Sequence, residues 1–137
     1  ARKSDLLMPA DPAEAAQVEQ WIFAALNSIE MVTMPWVVLT WSEQQSDAID
    51  GWLDKRLGQI EAVLAERKYL VADRFTAADL LMADVLRLTL LRERGSRPAS
   101  GIYLDRILSR PAFKKALADQ FAHYEAADRA REENGDA

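Results

Sequence analysis

Few residues in this chain could do chemistry. It has no cysteine and one histidine, His123, so neither a disulfide framework nor a zinc site relying on thiolate and imidazole ligands is available. No second imidazole or thiol exists to make His123 half of a metal or nucleophilic pair, so no catalytic residue and no metal site are expected. The hydroxyls of Tyr103 and Tyr124 could line a pocket, but both residues sit where packing is the simpler reading. The four tryptophans, Trp21, Trp36, Trp41 and Trp52, fall at helical spacing and suit core or interface better than a ligand-stacking surface. Basic residues come only as scattered pairs such as Lys55-Arg56 and Lys114-Lys115, in a chain of net charge −5. No nucleic-acid partner is expected, because a phosphate backbone would be repelled.

The segment that does carry a specific pattern is structural. Thr76 is placed to cap a helix, and Asp79, three residues on, can reach back to the Thr76 amide, a capping box with Asp in place of the usual Glu. Phe75 and Leu80 fall at the positions of a hydrophobic staple. From Leu80 to Leu91 the chain is apolar almost all round, which a helix at the centre of a bundle requires.

The elements around this helix follow from period and punctuation. Ala1 to Met8 reads as an exposed lead-in. Asp11-Pro12 supplies a cap and a first-turn proline, and Val18, Trp21, Ile22, Ala25, Leu26 and Ile29 recur every three or four residues. This predicts one long amphipathic helix, bent or ended near Pro35. A second stripe, from Ile49 through Trp52, Leu53, Leu57, Ile60, Val63 and Leu64, predicts another long helix, with Asp50, Asp54, Lys55, Glu61 and Glu66 on its solvated face. A loop is expected at Arg94 to Gly101, a short helix at Ile102 to Leu108, and a last amphipathic helix from Pro111 carrying Phe113, Leu117, Phe121 and Tyr124. No strand alternation and no internal repeat is evident.

At 137 residues, 50% hydrophobic and 28% charged, the composition fits one ordinary globular domain. The longest nearly apolar run, Met31 to Trp41, falls short of the roughly 20 residues a membrane span needs, and no signal peptide is visible. No membrane partner is expected, and the default compartment is cytoplasmic.

The string Leu70-Val71-Ala72-Asp73-Arg74-Phe75-Thr76-Ala77-Ala78-Asp79-Leu80 resembles the capping-box region of glutathione S-transferases. Arg110-Pro111-Ala112-Phe113 resembles the start of that family's last main helix, and Trp21 lies where its first C-domain helix often has an aromatic residue. The resemblance runs from Pro9 to Tyr124. It implies an all-α fold, a glutathione S-transferase C-terminal-like bundle of about five helices, as a single domain over residues 1–137 with a lead-in at 1–10 and a frayed tail at 125–137.

In that family the thiol is bound and activated by a thioredoxin-like N-terminal domain. The resemblance therefore implies such a domain as partner in the parent protein, glutathione as the parent's substrate with none bound by this chain alone, and a homodimer. It also implies that this chain is not catalytic by itself and forms part of the electrophile pocket and the dimer contacts. Alignment through Trp21 puts Phe23, Asn27, Glu30 and Met31 near glutathione or its electrophilic partner, with Met31 and Met34 as an adaptable apolar wall. Phe23 stands where some bacterial classes carry a polar residue. The same residues also suit ordinary helix packing or dimer contact. A non-catalytic helical association module of the same fold is the alternative function.

Overall fold

The structure is a computed structural model that describes residues 5–88, 97–133 and 135. Among the described residues there is no strand, only an isolated antiparallel bridge between Val71 and Arg74. The chain forms two compact units, residues 1–105 and 106–137.

The first unit opens with α1, Pro12–Ala24, started as the sequence indicates: the Asp11 side chain accepts from the Glu14 amide at 2.9 Å and Pro12 occupies the first turn. The helix does not end there. It widens into a π-helical turn over Ala25–Glu30 and continues as α2, Met31–Trp41. Pro35 lies inside α2 and does not end it; the irregularity instead falls just upstream, in the wide turn. The continuous run Pro12–Trp41 spans 30 residues and is apolar enough, by length and composition, to cross a membrane. A helix in a soluble core meets the same measure, and here Ala15, Val18, Ala25, Ile29, Val32 and Val37 are buried in the bundle.

After a turn, Ser46 precedes α3, Asp47–Glu66, which buries Leu53, Leu57, Ile60 and Leu64. Then comes α4, Ala77–Leu86, the core helix, with six of its ten residues buried. Of its large apolar side chains, Leu80 is exposed at 36% and Leu81 half-buried. The segment between α3 and α4 reverses at Ala72 and Asp73, both left-handed at φ 54° and 46°, and the Arg74 amide donates to the Val71 carbonyl at 3.3 Å. α1 packs on α4, the π turn packs on α3 and α4, and α2 packs on α3.

The core helix, expected to run on to Leu91, ends at Leu86, and Arg87 and Leu88 lie outside it; residues 89–91, and residues 94–96 of the expected loop, lie outside the described residues. The rest of that loop is corrected. Pro98–Leu108 is one helix, α5, so Pro98 to Gly101 are helical and not loop. The reason lies elsewhere in the sequence. α5 is preceded by Arg97, a residue with no side-chain acceptor, and Glu61 on α3 takes the capping role. Its carboxylate accepts from the Ala99 and Ser100 amides, each at 2.9 Å, and from the Ser100 hydroxyl at 2.6 Å.

The lead-in is likewise corrected in part. Asp5, Leu6 and Leu7 are exposed, yet Pro9 is buried, the Leu7 carbonyl accepts from the Ala77 amide at 2.8 Å, and the Arg74 guanidinium donates to the Asp5 carbonyl at 3.0 Å. The segment thus holds one of the otherwise unpaired amides in the first turn of α4.

In the second unit, α6 runs over Pro111–Glu133, helical through residues 125–133. Its surface is charged, with Lys115 and Asp119 paired at 2.6 Å one turn apart.

Candidate functional site

Two regions of the first unit stand out, and they are opposite in kind: one buried and polar, the other exposed and mainly apolar. The buried one centres on Asp79, the third residue of α4. Both halves of the capping box with Thr76 are present. Asp79 Oδ2 accepts from the Thr76 amide at 2.8 Å and its hydroxyl at 3.0 Å. Oδ1 accepts from the Leu70 amide at 2.9 Å and the Tyr103 hydroxyl at 3.1 Å. Asp79 and Thr76 are both fully buried. One carboxylate thereby ties the helix start to the preceding loop and to α5, which is a folding role with no opening for a substrate. The sequence indicates Thr76 and Asp79; it gives no sign that Leu70 and Tyr103 complete the set.

The second region is the outer face of the long first helix. Phe23, Leu26, Asn27, Met31, Met34, Val38 and Trp41 are all exposed, Phe23 at 62% and Trp41 at 74%, and Glu30 is half-buried among them. Their spacing of three and four residues makes one stripe along the helix. All five residues suggested for the substrate side, Phe23, Asn27, Glu30, Met31 and Met34, thus fall on a single face, apolar apart from Asn27 and Glu30. His123 lies far along the sequence on α6, exposed and 6.2 Å from the Tyr124 ring. Among the described residues no group of acidic and histidine side chains could hold a metal ion.

The acidic face of α3 is less idle than its pattern suggests. Asp50 accepts from the Trp36 indole at 2.6 Å, Asp54 meets Arg97 at 3.3 Å, and Glu61 caps α5. Burial would raise the Glu61 carboxyl, but the Ser100 hydroxyl, the Ser100 and Ala99 amides and the charge of Arg97 outweigh it and hold it below its ordinary value.

The model of the glutathione S-transferase C-terminal domain matches residues 16–111. The chain belongs to that family. Among solved structures it is similar to glutathione S-transferase 1-6 from Anopheles dirus species B, at 25% identity and TM-score 0.74 over 91% of this chain and 63% of that one. It is also similar to the glutathione transferase URE2P8 from Phanerochaete chrysosporium, solved with oxidized glutathione, at 17% identity and TM-score 0.74 over 90% of this chain and 60% of that one. A third is Ure2p5 from the same fungus, cocrystallized with 1-(S-glutathionyl)-2,4-dinitrobenzene, at 19% identity and TM-score 0.69 over 88% and 62%. No curated protein matches. The chain spans about three-fifths of the length of these structures.

Proposed function

We propose that this chain is the helical C-terminal part of a cytoplasmic, homodimeric glutathione transferase, a single domain over residues 1–137, and that its exposed stripe forms one wall of the electrophile pocket. The observation that carries the reading is the single face shared by Phe23, Asn27, Glu30, Met31 and Met34. On it, flexible thioether side chains offer an adaptable apolar wall, and one amide and one carboxylate interrupt it where a peptide substrate needs polar partners. The shorter length of the chain relative to its structural neighbours, one of which carries a glutathione conjugate, supports a thioredoxin-like N-terminal domain as the source of thiol activation.

With no cysteine in this chain, the proposed reading assigns lowering of the thiol pKa to that other domain. The test is conjugation of glutathione to 1-chloro-2,4-dinitrobenzene. The isolated chain gives no turnover above buffer, while the chain joined to its thioredoxin-like domain is active. In the joined protein Met31→Ala and Met34→Ala raise KM for the electrophile several-fold with little change in kcat, as loss of uniform binding does. Turnover by the isolated chain would overturn the division of labour. Joined protein that is folded and inactive would favour the non-catalytic association module.

A further inference from the structure

The lead-in is anchored where the core helix begins, and by contacts of different kinds. The Ala77 amide donates to the Leu7 carbonyl at 2.8 Å. Arg74 Nη1 donates to the Asp5 carbonyl at 3.0 Å, and Pro9 is fully buried. Between these points the side chains of Leu6 and Leu7 are exposed, at 75% and 42%. The segment is thus held mainly by backbone carbonyls and one buried ring, without a packed apolar face.

The Leu7 contact belongs to the helix cap. Ala77 is the first residue of α4, and its amide is one of those that helix geometry leaves without an intrahelical acceptor. The reciprocal box of Thr76 and Asp79 satisfies the amides of those two residues, and the Ala77 amide is left to the lead-in. The Arg74 contact answers no such need. It joins a charged donor in the turn before α4 to a carbonyl 69 residues away in sequence, and hydrogen bonds with an ionised partner are the stronger kind. Asp5 and the buried Pro9 stand at opposite ends of the segment, so the guanidinium closes its outer edge. The reversal at Ala72 and Asp73 delivers Arg74 to that place.

Holding five residues by so few contacts opposes a large loss of chain entropy. Such a segment lies at the low-stability end of a fold and opens locally while the rest stays folded. When it opens, the Ala77 amide loses its acceptor. We propose that Asp5 to Pro9 form a strap latched by Arg74, which fixes the point where the preceding chain meets the bundle and couples that position to the start of α4. On the function proposed above, the chain arriving through the strap is the thioredoxin-like domain, and Arg74 is a positioning residue for it. That meaning rests on the proposed function; the latch does not, and it is tested without the other domain.

The test is amide hydrogen exchange followed by NMR on the full chain. Arg74→Ala speeds exchange at Ala77 about tenfold, as loss of one charge-assisted bond from a local opening predicts. The Leu70 amide, bonded to buried Asp79, changes by less than about twofold, because it is released only by a larger opening. Arg74→Lys keeps a charged donor and restores most of the protection. Unchanged exchange at Ala77 overturns the latch. Equal acceleration at Ala77 and Leu70 also overturns it, since Arg74 would then support the whole bundle. A second measurement needs no variant at Arg74. The chain has no cysteine, so Leu6→Cys, at an exposed side chain, takes a single spin label. Its paramagnetic resonance spectrum shows a restricted label while the strap is closed; a label as mobile as one on an unfolded chain overturns the proposal, whether or not Arg74→Ala folds.

Discussion

The Asp79 centre and the outer stripe of the first helix are both built from short sequence patterns, yet one is closed and the other open. At Asp79 every oxygen of a fully buried carboxylate is occupied by donors from three separate segments. Along the stripe, large apolar side chains stand exposed with no segment of the described chain over them. The contrast separates the folding role of the domain from the function proposed for it: the closed centre is complete within the described chain, whereas the proposed reading has another surface laid on Phe23 to Met34.

The largest expected effect breaks the closed side. Asp79→Ala strands the Leu70 and Thr76 amides and the Tyr103 hydroxyl in a dry interior, and should cost about 3–5 kcal/mol. Urea denaturation measures it. The contrasting substitutions, Phe23→Ser and Met34→Gln on the open side, should stay within about 0.5 kcal/mol, because exposed side chains lose little on unfolding. A similar cost on both sides would show that the stripe is packed in solution, by a second copy or otherwise, and would erase the distinction.

Tyr103→Phe tests a finer point within the closed side. It removes one donor of four and leaves the ring packed, so about 1 kcal/mol should be lost. A loss as large as that of Asp79→Ala would mean that the linkage to α5, and not the helix cap, is the main contribution.

The capping segment was legible because its partners are three residues apart. A Thr-x-x-Asp string before an apolar run specifies a reciprocal pair whatever the rest of the fold does. Helix order and the buried residues of α3 were legible for the same reason, since a stripe of period 3.6 is a local property. What escaped detection was tertiary. Glu61 lies 38 residues from Ala99, and nothing in the pattern of α3 separates a capping carboxylate from a solvated one. Without that cap in view, Pro98 to Gly101 read as loop from their Pro, Ser and Gly content. The π turn gives no periodic warning either: the one proline in the helix interior lies at 35, after the distortion. The site residues were named through family resemblance; their shared face follows from the continuous helix that carries them.

Glu61→Gln examines that tertiary cap. The amide keeps one accepting oxygen and no charge, and turns an NH2 toward the other donor, so about 1–2 kcal/mol should be lost near neutral pH. The pH dependence gives the sign. In the folded chain the carboxyl sits below its ordinary value of 4.5, so its contribution is fully present above the unfolded value and disappears as pH falls through the folded one. The stability gap between the parent chain and Glu61→Gln should therefore be flat above about pH 5 and should close in acid. A gap that widens in acid would contradict the cap.

The smallest effect has the opposite sign, and it falls within the closed region. Ala72 and Asp73 both adopt left-handed backbone in the reversal that delivers Leu70 to Asp79. For a residue with a Cβ that conformation costs about 1–2 kcal/mol, and aspartate tolerates it better than alanine because its short polar side chain can bond locally. Ala72 is exposed, so little packing would be lost with its methyl group. Glycine there removes the strain but restores about 0.5–1 kcal/mol of unfolded-chain entropy. Ala72→Gly should thus raise stability by about 0.5 kcal/mol, seen as a small upward shift of the urea midpoint with unchanged slope. In an Asp79→Ala background the gain should shrink, because without the carboxylate nothing holds the loop in the reversal and the strain is already relieved. An equal gain in both backgrounds would show that the turn keeps its shape independently of Asp79.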